Sequence, residues 1–208
     1  MIRQLMQAIS IVFHPLLLAT YMLTVFYFFA PHLIGSISVD RIPTLILAVF
    51  LTTFLIPAFS IGVMKLTSKI TSFEMTKREE RFLPFLSIVM FYAATSYMFI
   101  TQFRIAPTLS WVLIIVTSLI LTLLIITIKF KISIHGAANW AAVGILAYFL
   151  MVEGKPMLWP LIVWTVAAGL VATSRLSLGR HSNQEIWIGN VYGFLFAFLG
   201  LLLFKTPF

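Results

Sequence analysis

The chain has 208 residues, one domain's length, of which 61% are apolar and 10% charged. A soluble domain carries about 25% charged residues, so a water-covered surface is excluded, and a mean hydropathy of +1.07 makes lipid the natural solvent. The lack of cysteine excludes disulfides, thiolate metal sites and cysteine nucleophiles, while a net charge of +8 spread between apolar runs points to anionic headgroups or an anionic substrate rather than nucleic acid.

Seven uncharged stretches follow one another: residues 11–30, 43–64, 82–103, 105–128, 136–152, 157–173 and 186–204. Crossing the hydrocarbon core takes about 20 apolar residues. All 14 basic and 6 acidic residues fall outside these stretches, as expected when a mid-bilayer charge costs roughly 2.5–3.5 kcal/mol. Backbone groups in lipid must be satisfied internally, by helices or closed barrels. A barrel strand would alternate polar and apolar positions, whereas residues 111–128 are apolar on every face. The expected fold is therefore all-α: a polytopic transmembrane bundle of six to seven spans, forming one integral-membrane domain over residues 1–208. Pro57 and Pro160 are expected to bend their spans or shift their ends. Arg3 precedes the first stretch, but no small-x-small cleavage site follows, so that stretch is expected to be a retained span.

Three of the connections are polar islands. The first, residues 65–81, contains Thr76-Lys77-Arg78-Glu79-Glu80-Arg81 and is followed by Pro84. The second, residues 129–135, reads Lys-Phe-Lys-Ile-Ser-Ile-His. The third, residues 174–185, reads Ser-Arg-Leu-Ser-Leu-Gly-Arg-His-Ser-Asn-Gln-Glu. Two spans separate each island from the next, so all three emerge on one side of the membrane. The connections around Asp40-Arg41, Arg104 and Glu153-Lys155 emerge on the other. One face thus gathers Lys77, Arg81, Lys131, Ser133, His135, Arg175, His181 and Glu185. Lys and Arg neutralise phosphate oxygens. Of two histidines, one can attack while the other moves a proton, and a carboxylate can orient an imidazole. The set suits phosphoryl transfer, which is largely positioning and charge stabilisation.

At these residues the chain resembles the type-2 phosphatidic acid phosphatase superfamily, which includes the vanadium haloperoxidases. That family's third motif is Ser-Arg, five residues, His, three residues, Asp. Ser174-Arg175, His181 and Glu185 keep its spacing, with Glu in place of Asp. Of the second motif, Pro-Ser-Gly-His, Ser133 and His135 remain, and of the first, Lys, six residues, Arg-Pro, the chain has Lys77 and Arg81 ahead of Pro84 with altered spacing. The resemblance implies that His181 attacks phosphorus to form a phosphohistidine, Glu185 polarises His181, and His135 protonates the departing alkoxide. Arg175, Ser133, Lys77 and Arg81 would bind phosphate oxygens. Lys131 has no family counterpart and is assigned to phosphate by its charge and position. No metal and no cofactor are implied.

The expected function is that of an integral-membrane phosphatase cleaving a lipid phosphomonoester or diphosphate. The alternatives are a lipid phosphotransferase on the same fold and an inactive transporter or scaffold. Expected partners are the lipid phosphate substrate and membrane lipids; the oligomeric state is not given by the sequence. His14, ahead of Pro15 inside the first span, is expected to hydrogen-bond within the bundle, and His32 to lie in an opposite connection. Ten Lys and Arg (Arg3, Lys65, Lys69, Lys77, Arg78, Arg81, Lys129, Lys131, Arg175, Arg180) share the motif side, against Arg41, Arg104, Lys155 and Lys205 on the other. The positive-inside rule then favours a cytoplasmic site, in what is expected to be a bacterial inner membrane.

Overall fold

The computed structural model describes residues 2–35, 37–73, 75, 79–101 and 107–203. Its apolar runs wind into helices α1 (Ile2–Val12), α2 (Leu18–Phe29), α3 (Ile42–Phe50), α4 (Ile56–Leu66), α5 (Phe82–Thr101), α6 (Pro107–Lys129), α7 (Ile134–Glu153), α8 (Leu158–Ser177) and α9 (Asn183–Leu203). Taking α1 with α2 and α3 with α4 as single broken spans, the described residues hold seven segments long and apolar enough to cross a membrane. No strand occurs among them. The chain is an all-α, polytopic membrane protein.

The breaks have local causes. Between α1 and α2 the chain tightens into a 3-10 turn, Pro15–Leu17, with His14 as its N-cap. Between α3 and α4 a π-helical turn, Leu51–Leu55, precedes Pro57. Proline has no N–H to donate one turn back, and a widened turn absorbs that loss. Pro160 falls in the first turn of α8, at the end of its span, where no intrahelical donor is needed.

The helices also outrun the uncharged stretches. The first span begins at Ile2 rather than residue 11, and the second runs Val39–Leu66. Lys65, Lys129 and Arg175 sit in last turns and Glu185 in a first turn. Long side chains at helix ends lay their stems along apolar surface and carry their charges outward, so a helix can pass the hydrocarbon edge without burying charge.

Helix α7 is lined by small buried residues, among them Ala137, Ala138, Ala141, Ala142 and Gly144. Helix α9 presses its own glycines against α7. A Cβ on Gly189 would lie 2.7 Å from the Ser133 carbonyl oxygen, and one on Gly193 would overlap the Ala137 carbonyl. Small residues let helix backbones approach this closely within a membrane.

This packing sorts the connections to two ends. At one end, His32 Nε2 meets Glu153 Oε2 at 2.7 Å. At the other, the Ser133 amide donates to the Glu185 carbonyl at 3.1 Å, joining the α6–α7 connection to the start of α9. Met75, from the α4–α5 connection, packs on the cluster of Phe85, Val89 and Leu124, as does Ile134 from the start of α7, and so reaches the same end.

Candidate phosphate site

The third motif is built on two helix ends. Ser174, in the last turns of α8, is fully buried. Its hydroxyl donates to the Met6 carbonyl at 2.7 Å and also meets Ser10 Oγ at 2.6 Å, which fixes α8 against α1 one residue before Arg175. Gly179, at φ 64°, then terminates α8. The Gly179 amide donates to Leu176 at 2.9 Å and the Arg180 amide to Arg175 at 3.0 Å. These paired bonds form a Schellman motif, which favours glycine because its central residue is left-handed.

The chain turns directly into α9 through a capping box. The Glu185 amide donates to Ser182 Oγ, and the Ser182 amide donates to Glu185 Oε2, each at 3.3 Å. Such reciprocal bonds satisfy two amides that the helix start would otherwise leave unpaired. They also aim the Glu185 carboxylate at His181, whose Nδ1 lies 2.9 Å from Oε2. His181 precedes α9, so this contact arises from the capping turn and not from a shared helix face. With Nδ1–H donated to the carboxylate, the lone pair of Nε2 is the ring's nucleophilic position. Only 12% of the His181 side chain and 18% of the Glu185 side chain is exposed, enough for access but little water. Burial holds the His181 imidazole below its ordinary pKa; Arg175 and Lys131 act in the same direction, while Glu185 opposes them. A neutral imidazole near pH 7 follows.

The second motif caps α7. Ser133 Oγ accepts the Gly136 amide at 3.2 Å, a bond that caps the helix start, an end whose dipole favours an anion. His135, in the first turn, is hydrogen-bonded to the backbone of Ser10. Asn139 Nδ2 donates to the His135 carbonyl at 2.9 Å and to the Phe13 carbonyl at 3.1 Å. The Arg175 guanidinium is close enough to act electrostatically on His14, His135 and His181 alike.

The structure therefore brings together His181, Glu185, His135, Arg175, Lys131 and Ser133. Lys131 Nζ lies 3.4 Å from Glu185 Oε2, so in this state it serves the carboxylate. Arg81 Nε donates to the Met75 carbonyl at 2.8 Å and braces its own connection. Lys77 lies outside the described residues. Among the described residues, no three His, Asp or Glu side chains converge as a metal-ligating group. What the site offers an anion is cations and helix-end amides.

Two residues that no motif assigns to the site also stand at this end. His14 stands with its ring centroid 5.2 Å from that of His135, at an interplanar angle of 84°, and Ser10 touches both Ser174 and His135. One signal was present in the sequence: an ionisable side chain inside a membrane span is costly and usually functional.

Residues 127–207 match the family model described as the PAP2 superfamily. This match supports membership of the PAP2 superfamily. Comparison with curated proteins returned no match, and neither did comparison with solved structures. The PAP2 segment spans α7, α8 and α9 and includes Lys131, Ser133, His135, Arg175, His181 and Glu185. His14, Ser10 and the α4–α5 connection lie ahead of it. The PAP2 match suggests phosphatase-type chemistry on phosphate esters.

Proposed function

We propose that this protein is a lipid phosphate phosphatase of the PAP2 type, working through a phosphohistidine. The observation that carries the reading is the His181–Glu185 pair, an imidazole held at 2.9 Å by a carboxylate beside Arg175 and the second histidine, His135. Nε2 of His181 attacks phosphorus, forming a P–N bond as the P–O bond to the lipid breaks. His135 gives its proton to the departing alkoxide. Water then attacks the phosphohistidine and returns a proton to His135, and inorganic phosphate leaves as the P–N bond breaks. Arg175 and the amides at the start of α7 neutralise the charge that develops on the phosphoryl oxygens. None of these steps calls on a metal.

A lipid substrate fits a site at the ends of apolar helices, where a phosphate reaches the cations while its tail stays in hydrocarbon. The charge count favours the cytoplasmic side for this end. Detergent-purified protein is expected to release inorganic phosphate from members of a panel of lipid phosphates and diphosphates with EDTA present, and His181→Ala to release none. Equal release by the variant would remove His181 from the chemistry. Transfer of the phosphoryl group to an added alcohol in preference to water would make the protein a transferase.

A further inference from the structure

Ahead of the PAP2 segment, the break between α1 and α2 is held with unusual care. Asn139 donates to the Phe13 carbonyl at 3.1 Å. Tyr92, fully buried in α5, donates its hydroxyl to the Leu16 carbonyl at 2.9 Å. Carbonyls on both sides of His14 are thus anchored by side chains from different helices. Clamping this turn so firmly needs a reason, and the side chain it positions is the imidazole.

That imidazole has a defined tautomer. Nδ1 accepts the Leu16 amide at 3.3 Å, so the ring proton belongs on Nε2. The ring stands perpendicular to His135 at 5.2 Å, within electrostatic reach of Arg175. Phe54 covers it at a ring-centroid distance of 6.2 Å. A neutral N–H donor fixed beside a guanidinium and a proton-carrying histidine is suited to a phosphoryl oxygen, where it adds a directed hydrogen bond without adding charge.

We propose that His14 is a third histidine of the site, contacting the substrate by donating from Nε2 to a phosphoryl oxygen held at Arg175. This rests on the phosphatase reading for its substrate, though the binding of phosphate itself can be measured without turnover. The N-terminal span is then part of the active site and not only its support.

Two substitutions separate the ring's roles. His14→Asn keeps an acceptor at the Nδ1 position, and with it the turn, but has no donor at the Nε2 position. His14→Gln keeps an amide donor at the Nε2 position. Each variant and the wild type would be tested in detergent for melting temperature, for its dissociation constant for inorganic phosphate, and for kcat and KM on the best lipid phosphate. His14→Asn is expected to melt with the wild type, to bind phosphate about tenfold more weakly and to lose about tenfold or more in kcat/KM. His14→Gln is expected to recover most of both losses. Wild-type phosphate affinity in His14→Asn, or equal losses in the two variants accompanied by a fall in melting temperature, would overturn the proposal. Wild-type turnover together with unaffected variants would sink His14 alone. Phosphate binding that depends on His14 without any turnover would sink the phosphatase reading alone, and a wild type that neither binds nor hydrolyses would sink both.

Discussion

At the scale of single residues, Glu185 carries the most connections. Its Oε2 accepts from His181 Nδ1 and the Ser182 amide and pairs with Lys131. Glu185→Gln keeps the size but gives up the charge, so kcat should fall roughly 10²-fold, with a smaller change in KM. The pH dependence has a definite sign. Burial holds His181 below its ordinary value near 6.5 and Glu185 pulls it back up. The acid limb of kcat/KM, where the nucleophile must lose its proton, should therefore lie below pH 6.5 in the wild type. It should move to still lower pH in Glu185→Gln, because the group that favours the imidazolium is gone. A limb that moves up would contradict the assignment. The His181–Glu185 spacing was legible in the sequence. The link to Lys131 was not, because it depends on how two connections meet and no local pattern records that.

At the scale of elements, the site depends on how closely α9 lies against α7. A Cβ at Gly189 would sit 2.7 Å from the Ser133 carbonyl, and backbone cannot step aside as a flexible side chain can. Gly189→Ala should cost about 1–3 kcal/mol by overpacking. It should also lower activity more than stability, since it separates the Ser133 amide from the Glu185 carbonyl. Thermal unfolding and phosphate release, measured on the same preparation, test this. The helices were legible because lipid leaves the backbone few options. Their ends were not: charges placed outside the spans turned out to occupy terminal turns, and the two caps that shape the third motif, Gly179 and Ser182, carry signals that an apolar-run reading passes over.

At the scale of the molecule, the connections divide between two ends. The chain has no cysteine, so single cysteines can report the side directly. Lys69→Cys and Gln184→Cys, at exposed positions in or next to the motif connections, should react with a membrane-impermeant maleimide from the same side, and exposed Lys155→Cys from the opposite side. In sealed vesicles of known orientation, the first pair should be cytoplasmic. Labelling of all three from one side would break the span count. Parity was legible because it needs only the number of spans. The contribution of the first span was not, since nothing local in the sequence says that His14, 121 positions before His135, stands against it.

In the proposed mechanism the phosphoryl group passes through His181. The most direct measurement is to mix the wild type with a lipid carrying radiolabelled phosphate, quench in alkali within milliseconds, and map the label. A base-stable, acid-labile phosphoryl group on His181, absent from His181→Ala, is the predicted result. Turnover by the wild type with no label on the protein at any quench time, or label on another residue, would contradict it.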